Sequence, residues 1–250
     1  RFLPSITVQA GVITAAAQAE AKSAGFYYPV DFAASGSSMI GGNIATNAGG
    51  IHVVRYGQMR EQIIGLRVVD GRGSLLEFQG GLVKNNSGYD LKQLFIGSEG
   101  TLGIILSAEV RLVSPPGNLI TCLIQAESFE RVLEMVSRAR SSSLAVHALE
   151  FLDERSCLSV QEHLTLPSPF HAASPYYVLL EIESDGEDAH ILETIAGKNE
   201  SRVALSREQS ALLWKYREDI SESLGMLYRV YKFDVSLPLS SAERFIREVK

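Results

Sequence analysis

The sequence predicts an α+β protein in two units, residues 1–116 and 117–250, on three observations. Two stretches of the first unit, residues 37–50 and 97–105, are crowded with glycine and other small residues. Beyond residue 119, strand-like and helical segments alternate at the spacing of a sheet covered by helices. Between them stands Pro115-Pro116-Gly117, which can continue neither a strand nor a helix and so marks the boundary.

The elements follow in order. A strand-like run at 6–11 opens the chain. Residues 14–24 are rich in alanine, with Thr14 placed to cap a helix and Gly25 to stop it. Pro29-Val30-Asp31 reads as a loop entry. Strand-like runs at 63–69 and 75–78 flank Asp70-Gly71-Arg72-Gly73, a hairpin turn signal, and a further run covers 102–113. In the second unit strands are expected at 120–124, 146–152, 176–183 and 227–237. Helices are expected at 128–141, 154–164, 187–197 and 207–224, with a last one opened by Ser240 or Ser241.

Charge and composition narrow the function classes. With 250 residues there is volume for a substantial core. The net charge of −6 argues against nucleic acid, because neutralising phosphates needs a concentrated basic patch. Arg55, Arg60, Arg67, Lys84 and Lys92 read as scattered solvated charges. Cys122 and Cys157 are too few for a disulfide scaffold and are expected to be structural thiols. No run approaches eighteen apolar residues, so no membrane-spanning segment is expected. Arg1 leads almost at once into a strand-like run and Lys250 falls inside a helical one, so both ends are expected to be cut. The cytoplasm and the mitochondrial matrix therefore both stay open as locations.

Glycine costs backbone entropy, so its clusters mark positions that need positive φ or close approach of a partner to the main chain. Backbone amides flanked by Ser, Thr and Asn suit phosphate oxygens, which makes a dinucleotide the natural ligand. The nicotinamide dinucleotide fingerprint is absent: Gly97-x-x-Gly100-x-x-Gly103 has the wrong spacing for it. None of the five histidines shows ligand spacing, and His52 lacks a context for covalent attachment.

Gly41-Gly42-Asn43-Ile44-Ala45-Thr46-Asn47-Ala48-Gly49-Gly50, then Tyr56-Gly57, then Gly97-Ser98-Glu99-Gly100-Thr101-Leu102-Gly103-Ile104-Ile105, stand in that order. This ordered set resembles the FAD-linked oxidases of the vanillyl-alcohol-oxidase superfamily, in the branch of D-lactate and D-2-hydroxyglutarate dehydrogenases. The resemblance implies the second half of a PCMH-type FAD-binding domain over 1–116, followed by a ferredoxin-like (duplicated) α+β cap domain over 117–250. It implies FAD as the cofactor. Pro29, Ser38, Gly42, Asn43, Thr46, Asn47, Ala48 and Gly49 would line the isoalloxazine and pyrophosphate region. Glu99, Gly100, Gly103, Ile104 and Ile105 would lie along the ribityl and adenine side.

In the second unit, Arg217 and Ser221 stand four apart in a helical pattern and share a face. Lys232 alternates with Tyr231 and Phe233 in a strand-like run. Meeting faces would form a carboxylate clamp: a guanidinium fork, a hydroxyl and an ammonium. Pattern alone leaves equal room for Arg217 pairing with Glu218 or Asp219 on a solvated helix, and for Lys232 on an exposed edge. The resemblance favours the clamp, because this spacing matches the family's site for a substrate's distal carboxylate, with Ser221 where the family often has Thr. It implies a flavin-linked dehydrogenase for a small D-2-hydroxy acid, most like a diacid. D-lactate or glycolate oxidation, and a non-catalytic flavoprotein subunit, are the alternatives.

The base for the hydroxyl proton belongs, in the family, to a His-x-His pair and an acid that bind a divalent, zinc-like metal in several members. That pattern is not found here and is expected beyond residue 250, so this chain by itself is expected to turn over little or no substrate. A quinone, an electron-transfer flavoprotein or another acceptor is implied, and a homodimer is left open.

Overall fold

The computed structural model describes residues 4–32, 34–78, 80–82, 86–184, 189–197 and 199–249. The chain divides into two compact units, Arg1–Pro116 and Gly117–Lys250.

The first unit runs β1 (Ser5–Gln9), α1 (Thr14–Ser23), α2 (Ile40–Ala45), α3 (Val53–Tyr56), α4 (Met59–Gln62), β2 (Ile63–Asp70), β3 (Leu75–Phe78), α5 (Lys92–Phe95) and β4 (Gly103–Arg111). Its antiparallel sheet has the order β1-β4-β2-β3. Val8, Leu66, Val68, Ala108 and Val110 point from it into the core, at alternate positions along their strands. The alanines of α1 let the helix lie close: Ala17 and Ala21 are buried on one face. Gly25, at φ 80, ends the helix in the left-handed region that a side chain resists.

Six residues cannot hold a helix alone in water, so α2 depends on its anchors. Ile40 and Ile44, one turn apart, are both 0% exposed, and each such burial contributes about 1.5–3 kcal/mol. Between these anchors the intervening glycines can be tolerated.

The second unit runs β5 (Leu119–Ala126), α6 (Phe129–Ser141), β6 (Ala145–Asp153), α7 (Glu154–Leu164), β7 (Tyr176–Glu183), α8 (Ala189–Ala196), β8 (Ser201–Val203), α9 (Arg207–Glu218), α10 (Ile220–Leu227) and α11 (Leu239–Val249). Its antiparallel sheet has the order β6-β7-β5-β8. With α7 set aside as an insertion, that is the β-α-β-β-α-β pattern of a ferredoxin-like unit. Among the described residues it occurs in one complete copy. Cys122, Ile124, Val178, Leu180 and Ile182 meet α6 and α8 on one face. On the other, Glu181 accepts from Trp214 Nε1 at 3.0 Å and Thr121 Oγ1 lies 2.6 Å from Ser210 Oγ, tying α9 to the sheet. Ser128 caps α6 by accepting from the Arg131 amide at 3.2 Å, and Asp153 caps α7 by accepting from Ser156 at 2.9 Å.

Four expectations need correcting. Thr14 is the first residue of α1 rather than its cap; its hydroxyl turns inward to Ser38 and Asn43 instead. The helix expected over 207–224 breaks at Asp219 into α9 and α10. Arg60 is no scattered charge, since its guanidinium is engaged by three acceptors. Finally, residues 229–237 form no strand. A strand needs a neighbour to take its amides and carbonyls, and none among the described residues pairs with this segment, which leaves Tyr231, Phe233, Val235 and Leu237 exposed. Its pattern is nonetheless that of β5 and α6. Ser241-Ala242-Glu243-Arg244 repeats Ser128-Phe129-Glu130-Arg131, and Phe233, Val235 and Leu237 precede it just as Ile120, Cys122 and Ile124 precede the first. Of the helix expected at 187–197, residues 187 and 188 lie outside the described residues, as does Lys84.

Candidate functional site

The two small-residue stretches of the first unit are stitched together. Gly97 donates to Ile44 O at 3.0 Å and Glu99 donates to Ala45 O at 2.9 Å, so the 97–100 turn is fixed to the end of α2. Gly97 and Gly100 take φ 83 and 80, and Asn47 and Glu99 take 48 and 51, the left-handed conformations that such a tight junction demands. On its other side α2 is held to the turn that follows β1, where Gly41 donates to Ala10 O at 2.8 Å. A Cβ at Gly41 would stand 2.6 Å from Ala10 Cβ, so this glycine is required by packing.

Most of the flavin-region residues expected from the sequence turn out to brace this junction. Asn43 donates to Thr14 Oγ1 at 2.7 Å, and Thr14 Oγ1 lies 2.8 Å from Ser38 Oγ, a buried polar knot between α1 and α2. Asn47 donates to Gln58 at 2.7 Å and accepts from the Arg60 amide at 2.9 Å. The amides of Thr46, Asn47 and Ala48 are all spent on backbone oxygens of α2, so they do not form the bare cradle expected for phosphate. Pro29 is buried beside Tyr28. Gly49 packs within reach of Val53, and Gly103 fits under Val69 O, which a Cβ would approach to 2.6 Å.

What remains open is a smaller set. Gly42, Thr46, Glu99, Gly100 and Ile104 are exposed, and Ile105 is half-buried. Ile104 is 69% exposed, and Met39 and Leu102 are exposed as well. Gly42 lies inside a helix, where glycine costs about 0.5–1 kcal/mol relative to alanine, yet a Cβ there would meet nothing within 4 Å. No internal contact among the described residues explains its presence. A planar ligand that is apolar over much of its area and lies close to the main chain would explain both the bare helix position and the uncovered Ile104. The flat ring systems of FAD fit that description. Arg60, which sequence reasoning set aside, is the strut beneath: it donates to Gln93 O at 2.7 Å, Gln93 Oε1 at 2.9 Å and Ile96 O at 2.5 Å, holding the turn ahead of Gly97. Its sequence carries no signal of this, because each acceptor lies more than thirty residues away.

In the second unit, Arg217 at the end of α9 lines a cleft of about 470 Å³ with Glu150, Phe151, Ser156, Tyr176, Ile220 and Phe245. Its Nε donates to Glu150 Oε2 on β6 at 2.5 Å, rather than to Glu218 or Asp219. Ser221 is exposed at the start of α10, across the break at Asp219. Lys232 is exposed in the unpaired segment. Two histidines sit inward: His147 Nε2 lies 3.2 Å from Glu183 Oε2, and His52 Nδ1 lies 3.2 Å from the Tyr27 hydroxyl. No group of three or more His, Cys, Asp or Glu able to hold a metal occurs among the described residues. No helix among them is long and apolar enough to cross a membrane.

Comparison with known proteins finds a family match in each unit. Residues 4–79 match the family described as "FAD binding domain", and residues 116–250 match "FAD linked oxidases, C-terminal domain". A D-2-hydroxyglutarate dehydrogenase of Xanthomonas citri pv. viticola is 43% identical over 255 residues, covering 98% of this chain and 53% of that protein. A mitochondrial D-2-hydroxyglutarate dehydrogenase of Bos taurus is 38% identical over 244 residues, covering 94% of this chain and 45% of the relative. The chain thus spans about half the length of the curated relatives it matches. Among solved structures, an alkyldihydroxyacetonephosphate synthase superposes with TM-score 0.63 at 19% identity, over 86% of this chain and 45% of that one, a likeness of fold alone. Since the C-terminal match takes in more than half of its residues, the chain belongs to the family of FAD-linked oxidases.

Proposed function

We propose that this chain is part of a FAD-dependent dehydrogenase that oxidises a D-2-hydroxy acid, with a diacid of the 2-hydroxyglutarate type as substrate. One observation carries the flavin half of the reading: Gly42 is a helical glycine with nothing against it, on a junction built from both small-residue stretches. When bound, FAD would take up the hydride that leaves C2 of the substrate. Gly42, Thr46, Gly100 and Ile104 are the residues that would lie along it.

The substrate half rests on the cleft at Arg217 and on the names of the relatives. Arg217 would grip the distal carboxylate, with Ser221 and Lys232 as further donors; a rigid guanidinium fork matches a carboxylate better than a single ammonium does. A D-2-hydroxy monoacid has no second carboxylate for that grip. A divalent metal with the proton-accepting base, an electron acceptor such as a quinone or electron-transfer flavoprotein, a homodimer, and residence in the cytoplasm or mitochondrial matrix complete the proposal. The mitochondrial name of the Bos taurus relative supports the last of these.

The test uses the intact protein carrying Arg217→Ala and compares D-2-hydroxyglutarate with D-lactate. A rise in KM of about tenfold or more for the diacid alone is expected, the size of a lost charge-assisted hydrogen bond. An equal loss on D-lactate would transfer the assignment to a monoacid enzyme. Normal kinetics on both would remove Arg217 from the site.

A further inference from the structure

Arg217 does not approach its cleft alone, and the manner in which it is held is informative. The contact with Glu150 uses one nitrogen, Nε, and one oxygen, Oε2. A guanidinium offers five N–H donors in a flat fork, so a single bond at Nε fixes the plane of the group while leaving the terminal Nη pair for another acceptor. Glu150 stands on β6, where Glu150 pairs in register with Leu179 of the central strand β7, so its carboxylate starts from a rigid base. Phe151, Tyr176 and Ile220 wall the same cleft. The Glu150 side chain is 23% exposed and that of Arg217 39%, so the acceptor is the more sheltered of the two partners.

We propose that Glu150 is a positioning residue that holds Arg217 by Nε and presents its terminal fork to the distal carboxylate of a dicarboxylate substrate. The inference rests on the substrate reading given above. A long arginine left to itself populates many rotamers, and a substrate that must order it loses affinity to that entropy. Glu150 makes that ordering beforehand. The same anion lowers the net positive charge of the cleft, so recognition depends on fork geometry more than on bulk attraction.

The experiment compares Glu150→Ala, Glu150→Gln and Arg217→Ala in the intact, flavin-loaded protein, reading kcat and KM for D-2-hydroxyglutarate and D-lactate separately. Glu150→Ala is expected to raise the diacid KM about five- to thirtyfold, the weight of one arginine's rotamer entropy, while shifting the D-lactate KM far less. Glu150→Gln, whose amide oxygen still accepts from Nε, is expected to restore most of that loss. An unchanged or lowered KM in Glu150→Ala, no rescue by glutamine, or an equal effect on both substrates would overturn the inference. A Glu150→Gln protein that cannot fold would overturn it as well, because Glu150 would then be a structural counter-ion. The two readings fail distinguishably: Arg217→Ala without effect removes Arg217 from the site and the Glu150 role with it, whereas a strong Arg217→Ala with a silent Glu150→Ala sinks only the role of Glu150.

Discussion

Adjacent glycines in α2 offer a way to separate packing from ligand recognition. At Gly41 a Cβ would lie 2.6 Å from Ala10 Cβ and 3.2 Å from Ala10 Cα and O, against backbone that cannot retreat without breaking the Gly41–Ala10 hydrogen bond. Overpacking of this kind costs about 1–3 kcal/mol. At Gly42 a Cβ would meet nothing within 4 Å. Alanine there removes the backbone entropy that glycine loses on folding, so it stabilises the apoprotein by about 0.5–1 kcal/mol. The Gly42→Ala methyl occupies the surface on which FAD would lie, and FAD affinity is expected to fall about tenfold or more, which is about 1.4 kcal/mol. Urea denaturation of the two apoprotein variants measures the first pair of effects, and quenching of flavin fluorescence in the intact protein measures the other. The expected result is opposite ordering: Gly41→Ala less stable than wild type, Gly42→Ala more stable yet poorer at holding FAD. Wild-type FAD affinity in Gly42→Ala would refute the reasoning, because that glycine would then have neither an internal nor an external reason.

Two further outcomes follow from other parts of the chain. Arg60→Lys replaces a fork reaching three acceptors by one ammonium that cannot span them, so a loss of about 2 kcal/mol in urea unfolding is expected, with no rescue from the retained charge. Burial pushes the Cys122 thiol up from 9.0 to about 12; burial, and then the charge of Asp153, do the same for Cys157. The folded state therefore keeps two protons that the unfolded chain releases at lower pH. Their stabilising effect is fully present below about pH 9 and is lost as the pH climbs toward 12. Thiol reagents at pH 8 should label neither cysteine until denaturant is added, and the urea midpoint should fall between pH 9 and pH 11.

Local signals were legible in the sequence wherever the determining contacts are local. Gly25 ends α1 because its own φ is positive, Asp70-Gly71-Arg72-Gly73 turns β2 into β3, and the helix expected from Ser128 forms as α6. The motif order likewise announced the FAD-linked family without any knowledge of where its chain segments meet. The tertiary structure decided matters that depend on distant partners. It assigned Asn43, Asn47 and Ser38 to bracing contacts and left Gly42 to the open surface, a distinction no glycine count can make. It broke the expected helix at Asp219, left residues 229–237 without a strand neighbour among the described residues, and gave Arg217 to Glu150 of the distant strand β6 rather than to its sequence neighbours. The physical reason is the same in each case. Backbone preference is a property of a few consecutive residues, whereas a hydrogen-bond partner, a packing limit or a counter-ion is supplied by whichever segment folding brings alongside.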